Sequence, residues 1–307
     1  MQLFWRLFRA VILIGICFVV LYPMFLKLFM SFMNERDLLD VTVNYFPKNY
    51  TIRNYLLAIK GLDYQTAFFN TFFLSAMVSI LQIFSTSLVA YGFARFDFPF
   101  KKLAFALVLA TLIIPPRMIM IPLYMRFQYF DIFGLFTALF GAPIRLSGSF
   151  LPYALLSGTC VGIKNGLYIY LLRQQFRGLP KELEEAALID GLGYFKTFRK
   201  IVLPCAMPML ITIFLFSFVW QWTETFYANM FLGNQVPLLA TQLSALSVNI
   251  KAQYFSSGLG NMDSITSGYQ SIINNTGTIL VILPLLVMYL FFQRHFVEGV
   301  ERSGIVG

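Results

Sequence analysis

Six long apolar runs, separated by more polar stretches of very different lengths, set the terms on which this chain can fold. They cover about residues 10–33, 67–93, 102–125, 150–176, 205–230 and 273–293. A membrane-crossing helix takes about 20 consecutive apolar residues, so each run is long enough to span. Lipid offers no hydrogen-bond partners, so the backbone of such a run must satisfy itself as helix. With 35 Phe in 307 residues and only 12% of residues charged, the chain carries more apolar surface than a soluble core of this size takes up. The expected fold is all-α: a polytopic membrane protein with six transmembrane helices.

The first run follows Arg6 and Arg9 and ends Met-Ser-Phe-Met-Asn. A cleaved signal peptide has an apolar region of about 7–15 residues and small residues at its cleavage site. Neither holds here, so the run reads as an uncleaved first span. Pro115-Pro116 and Pro122 break the third run, and Pro284 lies in the sixth. Proline is tolerated in membrane helices when neighbours satisfy the freed carbonyl. Basic residues flank spans on the cytoplasmic side. With both termini inside, the inside segments hold Arg6, Arg9, Arg95, Lys101, Lys102, Arg173, Arg177, Lys181, Lys196, Arg199, Lys200, Arg294 and Arg302; the outside loops hold only Arg36, Lys48, Arg53, Lys60, Arg126, Arg145 and Lys251. That bias places both termini in the cytoplasm.

The net charge of +9 is explained by this flanking pattern, and no nucleic acid partner is expected. Cys17, Cys160 and Cys205 all lie in apolar segments without metal-site spacing, and His295 is the single histidine. No metal site and no Ser/His/Asp set is expected, so the chain reads as a non-catalytic membrane protein. It has no GxxxxGK[ST] phosphate loop and no Gly-Lys pair at all. Energy for any pumping must therefore come from a partner.

One polar segment interrupts the pattern: Leu179–Pro208, LPKELEEAALIDGLGYFKTFRKIVLPCAMP. Pro180 suits a helix start. Glu182, Glu184 and Glu185 suit the positive end of the helix dipole. Ala186 and Ala187 favour helix and permit close approach of another surface. Asp190, Gly191 and Gly193 supply a stop and a turn. A second short helix over 194–202 places Phe195, Phe198 and Ile201 on one anchoring face, with Lys196, Arg199 and Lys200 wet. An ordinary interfacial connector would share this composition.

The spacing goes further. Glu185-Ala186-Ala187, Gly191 after three residues, then Ile201-Val202-Leu203-Pro204 after nine resemble the EAA loop of binding-protein-dependent ABC importer permeases. Asn70-Thr71, the stretch Ala90-Tyr91-Gly92-Phe93-Ala94-Arg95, Ile121-Pro122-Leu123-Tyr124, Leu171–Phe176 and Phe296-Val297-Glu298-Gly299 are similar to the second permease of maltose-type carbohydrate uptake systems. The likeness covers about residues 65–307. It departs at Trp220-Gln221-Trp222-Thr223-Glu224, where many relatives have Trp-Asn in place of Thr-Glu.

The resemblance implies a type I ABC importer permease fold in which the loop 179–204 couples the membrane subunit to a separate ATPase dimer. Glu184, Glu185, Ala186, Ala187, Asp190, Gly191 and Gly193 would form that coupling site. ATP and Mg would be bound by the ATPase, and no cofactor by this chain. Further partners would be a second homologous permease, an extracytoplasmic solute-binding lipoprotein and a carbohydrate, expected to be an oligosaccharide, in a bacterial cell membrane. The C-terminal tail, short and glycine-containing, would insert in extended form between the ATPase subunits through Glu301, Arg302, Ser303 and Gly304. The outside loop 233–272 would reach the binding protein through Tyr254, Gly258, Gly260 and Asp263. Charges inside a span cost about 2.5–3.5 kcal/mol and need a reason. Arg117, Lys164 and Glu224 are such charges, and a Lys164–Glu224 or Arg117–Glu224 pair is compatible with their depth. With Trp220, Gln221, Trp222 and Tyr227 they are the candidates for a substrate path. Three segments follow: 1–66, the first span and outside loop; 67–293, the permease core; and 294–307, the tail. A secondary transporter or channel for a small polar solute is the alternative. It predicts inverted repeats or an acidic relay, and the sequence shows no repeat and one carboxylate, Glu224, within a span.

Overall fold

The computed structural model describes residues 2–38, 40, 42–43, 45–256 and 266–304. In chain order its helices are α1 (Gln2–Ser31), α2 (Arg53–Gly61), α3 (Tyr64–Arg95), α4 (Lys101–Ile113), α5 (Met120–Gln128), α6 (Leu135–Phe140), α7 (Leu151–Gly158), α8 (Asn165–Gly178), α9 (Glu182–Ile189), α10 (Tyr194–Thr197), α11 (Leu203–Cys205), α12 (Met207–Trp222), α13 (Leu239–Ser256) and α14 (Ser267–Gly304). Short 3-10 turns occupy Glu35–Leu38 and Pro116–Ile119, and π-helical stretches occupy Phe198–Val202 and Ala228–Leu232. No strand of more than an isolated bridge occurs among the described residues.

The six apolar runs are all helical, but only three are single uninterrupted spans: Phe4–Ser31, Tyr64–Arg95 and Ser267–Arg294. The third run bends by 93° between Lys101–Ile113 and Arg117–Gln128. The double proline explains it. Residue 115 lacks an amide donor, and residue 114 is pushed to extended backbone by the proline after it. A further bend of 78° lies at the start of the fifth run, where the polar segment Tyr194–Cys205 meets Met207–Trp222. The fourth run is not continuous. It divides into α7 and α8 around residues 159–164, where Cys160 and Lys164 take left-handed backbone at φ 61° and 64°.

By contacts the chain forms two units, residues 1–68 with 237–286, and residues 69–236 with 287–307. This division differs from one drawn by hydropathy, because 237–286 groups with the N-terminal segment. In the first unit, Asn54 Nδ2 donates to the carbonyls of Ser31 (2.9 Å) and Met33 (2.8 Å), closing the end of α1. The Lys27 ammonium donates to Asn275 Oδ1 at 3.2 Å. Gly61 lets α2 meet α13, since a Cβ there would lie 2.7 Å from Ile250 and 2.8 Å from Leu246. Most of α1 is exposed apolar surface.

Both long loops expected outside hold structure. Residues 34–66 contain α2, and α3 already begins at Tyr64. Residues 233–272 contain α13, which buries Leu239, Leu246 and Ile250. Its helical spacing was hidden among Gln, Ser and Asn. The tail is likewise not extended as far as Gly304, because α14 continues helically from the sixth span to that residue.

The second unit is centred on a core of Ala90, Tyr91, Phe93, Tyr168, Ile169, Leu172, Phe176, Phe198, Val202, Met209 and Ile213. These residues come from α3, α8, the π-helical stretch and α12. The segment 179–205 is therefore built onto the bundle and is not a free connector.

Candidate functional site

The segment 179–205 forms the expected helix–turn–helix. The Lys181 carbonyl accepts from the amides of Glu184 and Glu185, opening α9. Gly191, at φ 81°, makes the turn, in a conformation that costs a side-chain-bearing residue. The helix has two distinct faces. Glu182, Glu185, Ala186 and Ile189 recur at helical spacing and are exposed, Ile189 to 86%. Ala187 is 3% exposed, and Glu184 is partly buried. Ala187 thus packs inside its own chain and is not part of the exposed face. Leu183, Tyr194 and Phe195 extend the exposed apolar surface.

The second helix departs from the expected three-residue spacing. Thr197, Phe198 and Val202 are buried while Phe195 points out. The π-helical geometry of Phe198–Val202 widens the turn, so residues four or five apart, here 198 and 202, share the inner face. Lys196, Arg199 and Lys200 are exposed as expected.

Glu184 is engaged within the chain. Its Oε1 meets Arg95 Nε at 2.6 Å, and its Oε2 accepts from the Tyr91 hydroxyl at 2.9 Å. Arg95 Nη2 also donates to the Leu179 carbonyl at 2.9 Å. Both partners of the ion pair are largely buried, at 8% and 13% side-chain exposure. Tyr91 packs against Phe198 at 4.8 Å and edge-on to Phe176 at 6.0 Å between ring centroids. The stretch ending at Arg95 was visible as a motif, but its pairing with Glu184 was not.

A second constellation lies at the break between α7 and α8. Gln82, midway along α3, donates from Nε2 to the Ile163 carbonyl (2.8 Å) and Asn165 Oδ1 (2.6 Å), and its Oε1 accepts from Ser217 of α12. Ser85 Oγ donates to the Ser157 carbonyl at 2.6 Å. The carbonyls freed by the break are thus answered by side chains. Beside this network is a cleft lined by Gln82, Tyr153, Tyr168, Trp220, Gln221 and Tyr227, among others. Its free volume of ≈ 20 Å³ admits about one water, not a sugar ring. Asn165 Nδ2 and Gln221 Nε2 are buried here without an acceptor at good hydrogen-bond geometry, the Tyr153 hydroxyl lying close to Gln221 but not bonded to it by that criterion.

Of the residues expected on a path, the structure brings Trp220, Gln221 and Tyr227 together in this cleft. Trp222 is buried and stacked on Phe218 at 5.6 Å, so it belongs to the core. Neither expected pair with Glu224 forms. Its carboxylate accepts from the amides of Tyr227 (2.8 Å) and Ala228 (3.1 Å), capping the turn that follows. Lys164 instead lies over the Trp220 ring at 4.8 Å, and Arg117 over Phe226 at 5.7 Å. Gln82, Asn165, Ser217, Tyr153 and Tyr168 were missed. The signal was available in the amides, since polar residues inside apolar runs bond across membrane helices.

Residues 82–302 match the family described as the binding-protein-dependent transport system inner membrane component. The chain belongs to this family. As a permease of that family it is a multi-pass membrane protein, and the α9 segment and, Val78 apart, the cleft lie within the matched region. An arabinooligosaccharide transport permease, AraQ, of Halalkalibacterium halodurans is 27% identical over 95% of this chain and 93% of its own. A melibiose/raffinose/stachyose import permease, MelC, of Bacillus subtilis is 28% identical over 85% of this chain and 83% of its own. The structure of a bacterial ABC transporter that imports the acidic polysaccharide alginate shares the fold, with TM-score 0.72 and 20% identity over 95% of this chain and 96% of that one.

The remaining expected contacts of the permease are distributed as follows. Tyr254 lies on α13, where its hydroxyl accepts from Arg53 at 3.3 Å. Gly258, Gly260 and Asp263 lie outside the described residues. Glu301, Arg302, Ser303 and Gly304 form the last turn of α14. Asp190 and Gly193 are exposed and flank the Gly191 turn.

Proposed function

We propose that this permease forms half of the translocation path of an ATP-driven carbohydrate importer, and that α9 with the start of α10 docks on a separate ATPase. The observation that carries the docking is the exposed face of Glu182, Glu185, Ala186 and Ile189, joined by Leu183, Tyr194 and Phe195. Exposed apolar surface rimmed by charge marks a protein-binding face. The oligosaccharide cargoes of AraQ and MelC support a carbohydrate substrate. The cleft has the right chemistry, with the Trp220 ring and the Gln82 and Gln221 amides, but it is too small as it stands. A second permease would supply the rest of the site and a wider state.

In this reading ATP and Mg sit on the ATPase, both termini are cytoplasmic, and an extracytoplasmic binding protein delivers cargo through contacts with Tyr254, Gly258, Gly260 and Asp263. The last turn of α14, Glu301–Gly304, reaches the ATPase from the same side as α9. Replacing Ala186 by Arg tests the docking. The permease should stay in the membrane while uptake is lost and ATP hydrolysis runs unlinked to transport. Normal uptake by Ala186→Arg would overturn the docking. Uptake assays across labelled oligosaccharides test the cargo, and no uptake of any of them would count against it.

A further inference from the structure

We infer that α3 is a transmission rod, locked at its Arg95 end to α9 and at its middle to the α7–α8 break, so that movement imposed on α9 is delivered to the cleft. This rests on the ATPase-docking reading above and assigns Glu184 a role inside the chain. Three observations carry it.

The first is continuity. α3 runs unbroken from Tyr64 to Arg95 with no proline, while the third run bends sharply and the fourth divides. An unbroken helix transmits displacement along its axis where a bent one absorbs it.

The second is the joint. Both carboxylate oxygens of Glu184 are held, one by Arg95 and one by Tyr91, and Arg95 holds the Leu179 carbonyl as well. Residues 91 and 95 are one turn apart on the same face of α3. Attachment at two points on α3 and two on the α9 segment fixes position and rotation together. The joint is buried, so salt screens it little.

The third is the far attachment. Gln82 is 13 residues from Arg95, about 20 Å along a helix. Its amide grips the Ile163 carbonyl, Asn165 and Ser217 together. Ile163 and Asn165 flank Lys164, whose ammonium lies over Trp220, and Ser217 is one turn before Gln221 on α12. A shift of α3 therefore moves both walls of the cleft. Glu184, Arg95 and Gln82 are positioning residues; none need touch nucleotide or cargo.

The test uses the assembled importer with its ATPase and binding protein. Glu184→Gln and Arg95→Gln should co-purify with the ATPase as the wild type does. Uptake should fall about tenfold or more, and hydrolysis should no longer rise with loaded binding protein. Gln82→Leu should give the same split from the far end. The swapped pair R95E/E184R should recover part of the stimulation. Uptake by the single variants within about twofold of wild type would overturn the rod, as would a failure of the ATPase to co-purify with Glu184→Gln, which would return Glu184 to the docking face. Where the single variants do not reach the membrane, R95C/E184C with Cys17, Cys160 and Cys205 replaced by Ser decides. Bridging the pair with a short bis-methanethiosulfonate should raise uptake and reduction should lower it; uptake unaltered or lowered by bridging contradicts the rod. Failure of the docking reading has a different signature: Ala186→Arg transports normally whatever the Arg95 variants do.

Discussion

The two ends of the Arg95–Gln82 stretch of α3 are both buried polar sites, and they are finished differently. At Arg95 the strong groups are taken up: Glu184 accepts twice, Arg95 donates to two partners, and Tyr91, Phe176 and Phe198 close around them. At Gln82 the amide itself is fully used, but Asn165 Nδ2 and Gln221 Nε2 nearby are not, and the neighbouring helix is broken. A satisfied network in a low-dielectric interior stiffens its surroundings. An incompletely satisfied one is costly as it stands and gains from any arrangement that supplies partners. The comparison assigns holding to one end and rearrangement to the other.

The largest effect should come from cutting the finished end. Glu184→Ala leaves Arg95 buried and unpaired, a loss of about 3–5 kcal/mol of stability. It should appear as a marked fall in the unfolding temperature of the detergent-solubilised permease, larger than for Glu185→Ala, which removes an exposed carboxylate. Equal falls would erase the distinction between the two glutamates. Gln82→Leu comes next. It strips hydrogen bonds from Ser217, Asn165 and the Ile163 carbonyl, at about 1–3 kcal/mol, and should lower unfolding temperature less than Glu184→Ala. Gln221→Leu removes an unpartnered donor, so it should leave stability unchanged or raised. If the cleft takes part in transport it should also raise the apparent KM for the sugar. A clear drop in stability would show that the amide is satisfied after all.

The smallest effect belongs to an exposed control. Asp40 pairs with Lys48 at 2.7 Å, the same chemistry as Glu184 with Arg95 but in solvent. The Lys48 ammonium, helped by Thr42, holds the Asp40 carboxyl well below the usual carboxylate range. A lowered folded-state pKa gives stability that is present above the unfolded value and lost as pH falls through the folded one. Exposed pairs are screened, so Asp40→Asn should barely shift the unfolding temperature at neutral pH and should slightly flatten its decline in acid. A shift comparable to that of Glu184→Ala would mean that burial is not what separates the two pairs.

Much of this was legible in the sequence. Apolar run length announced the helices, and the proline pair located the sharp bend after α4. Pro180, the acidic run and Asp190-Gly191 announced the helix–turn–helix. Other features were not legible, for identifiable reasons. Glu184 and Glu185 are chemically identical neighbours, and only the helix, rotating about 100° per residue, decides which one faces inward. The same rotation sends Trp222 into the core and leaves Trp220 at the cleft. The break at 159–164 carries no proline; it is made by left-handed backbone at Cys160 and Lys164, residue types that do not advertise it. The helix α13 was obscured because its buried residues are diluted by Ser, Asn and Gln.

The central claim is that α9 presents one face to the ATPase and keeps the other for α3. Single cysteines placed along α9 in a chain lacking Cys17, Cys160 and Cys205, then cross-linked in membranes carrying the assembled importer, test it most directly. The account predicts strong cross-linking to the ATPase from Glu185→Cys, Ala186→Cys and Ile189→Cys, and none from Ala187→Cys. Cross-linking of equal strength from Ala187→Cys, or none from any of the four, would contradict it.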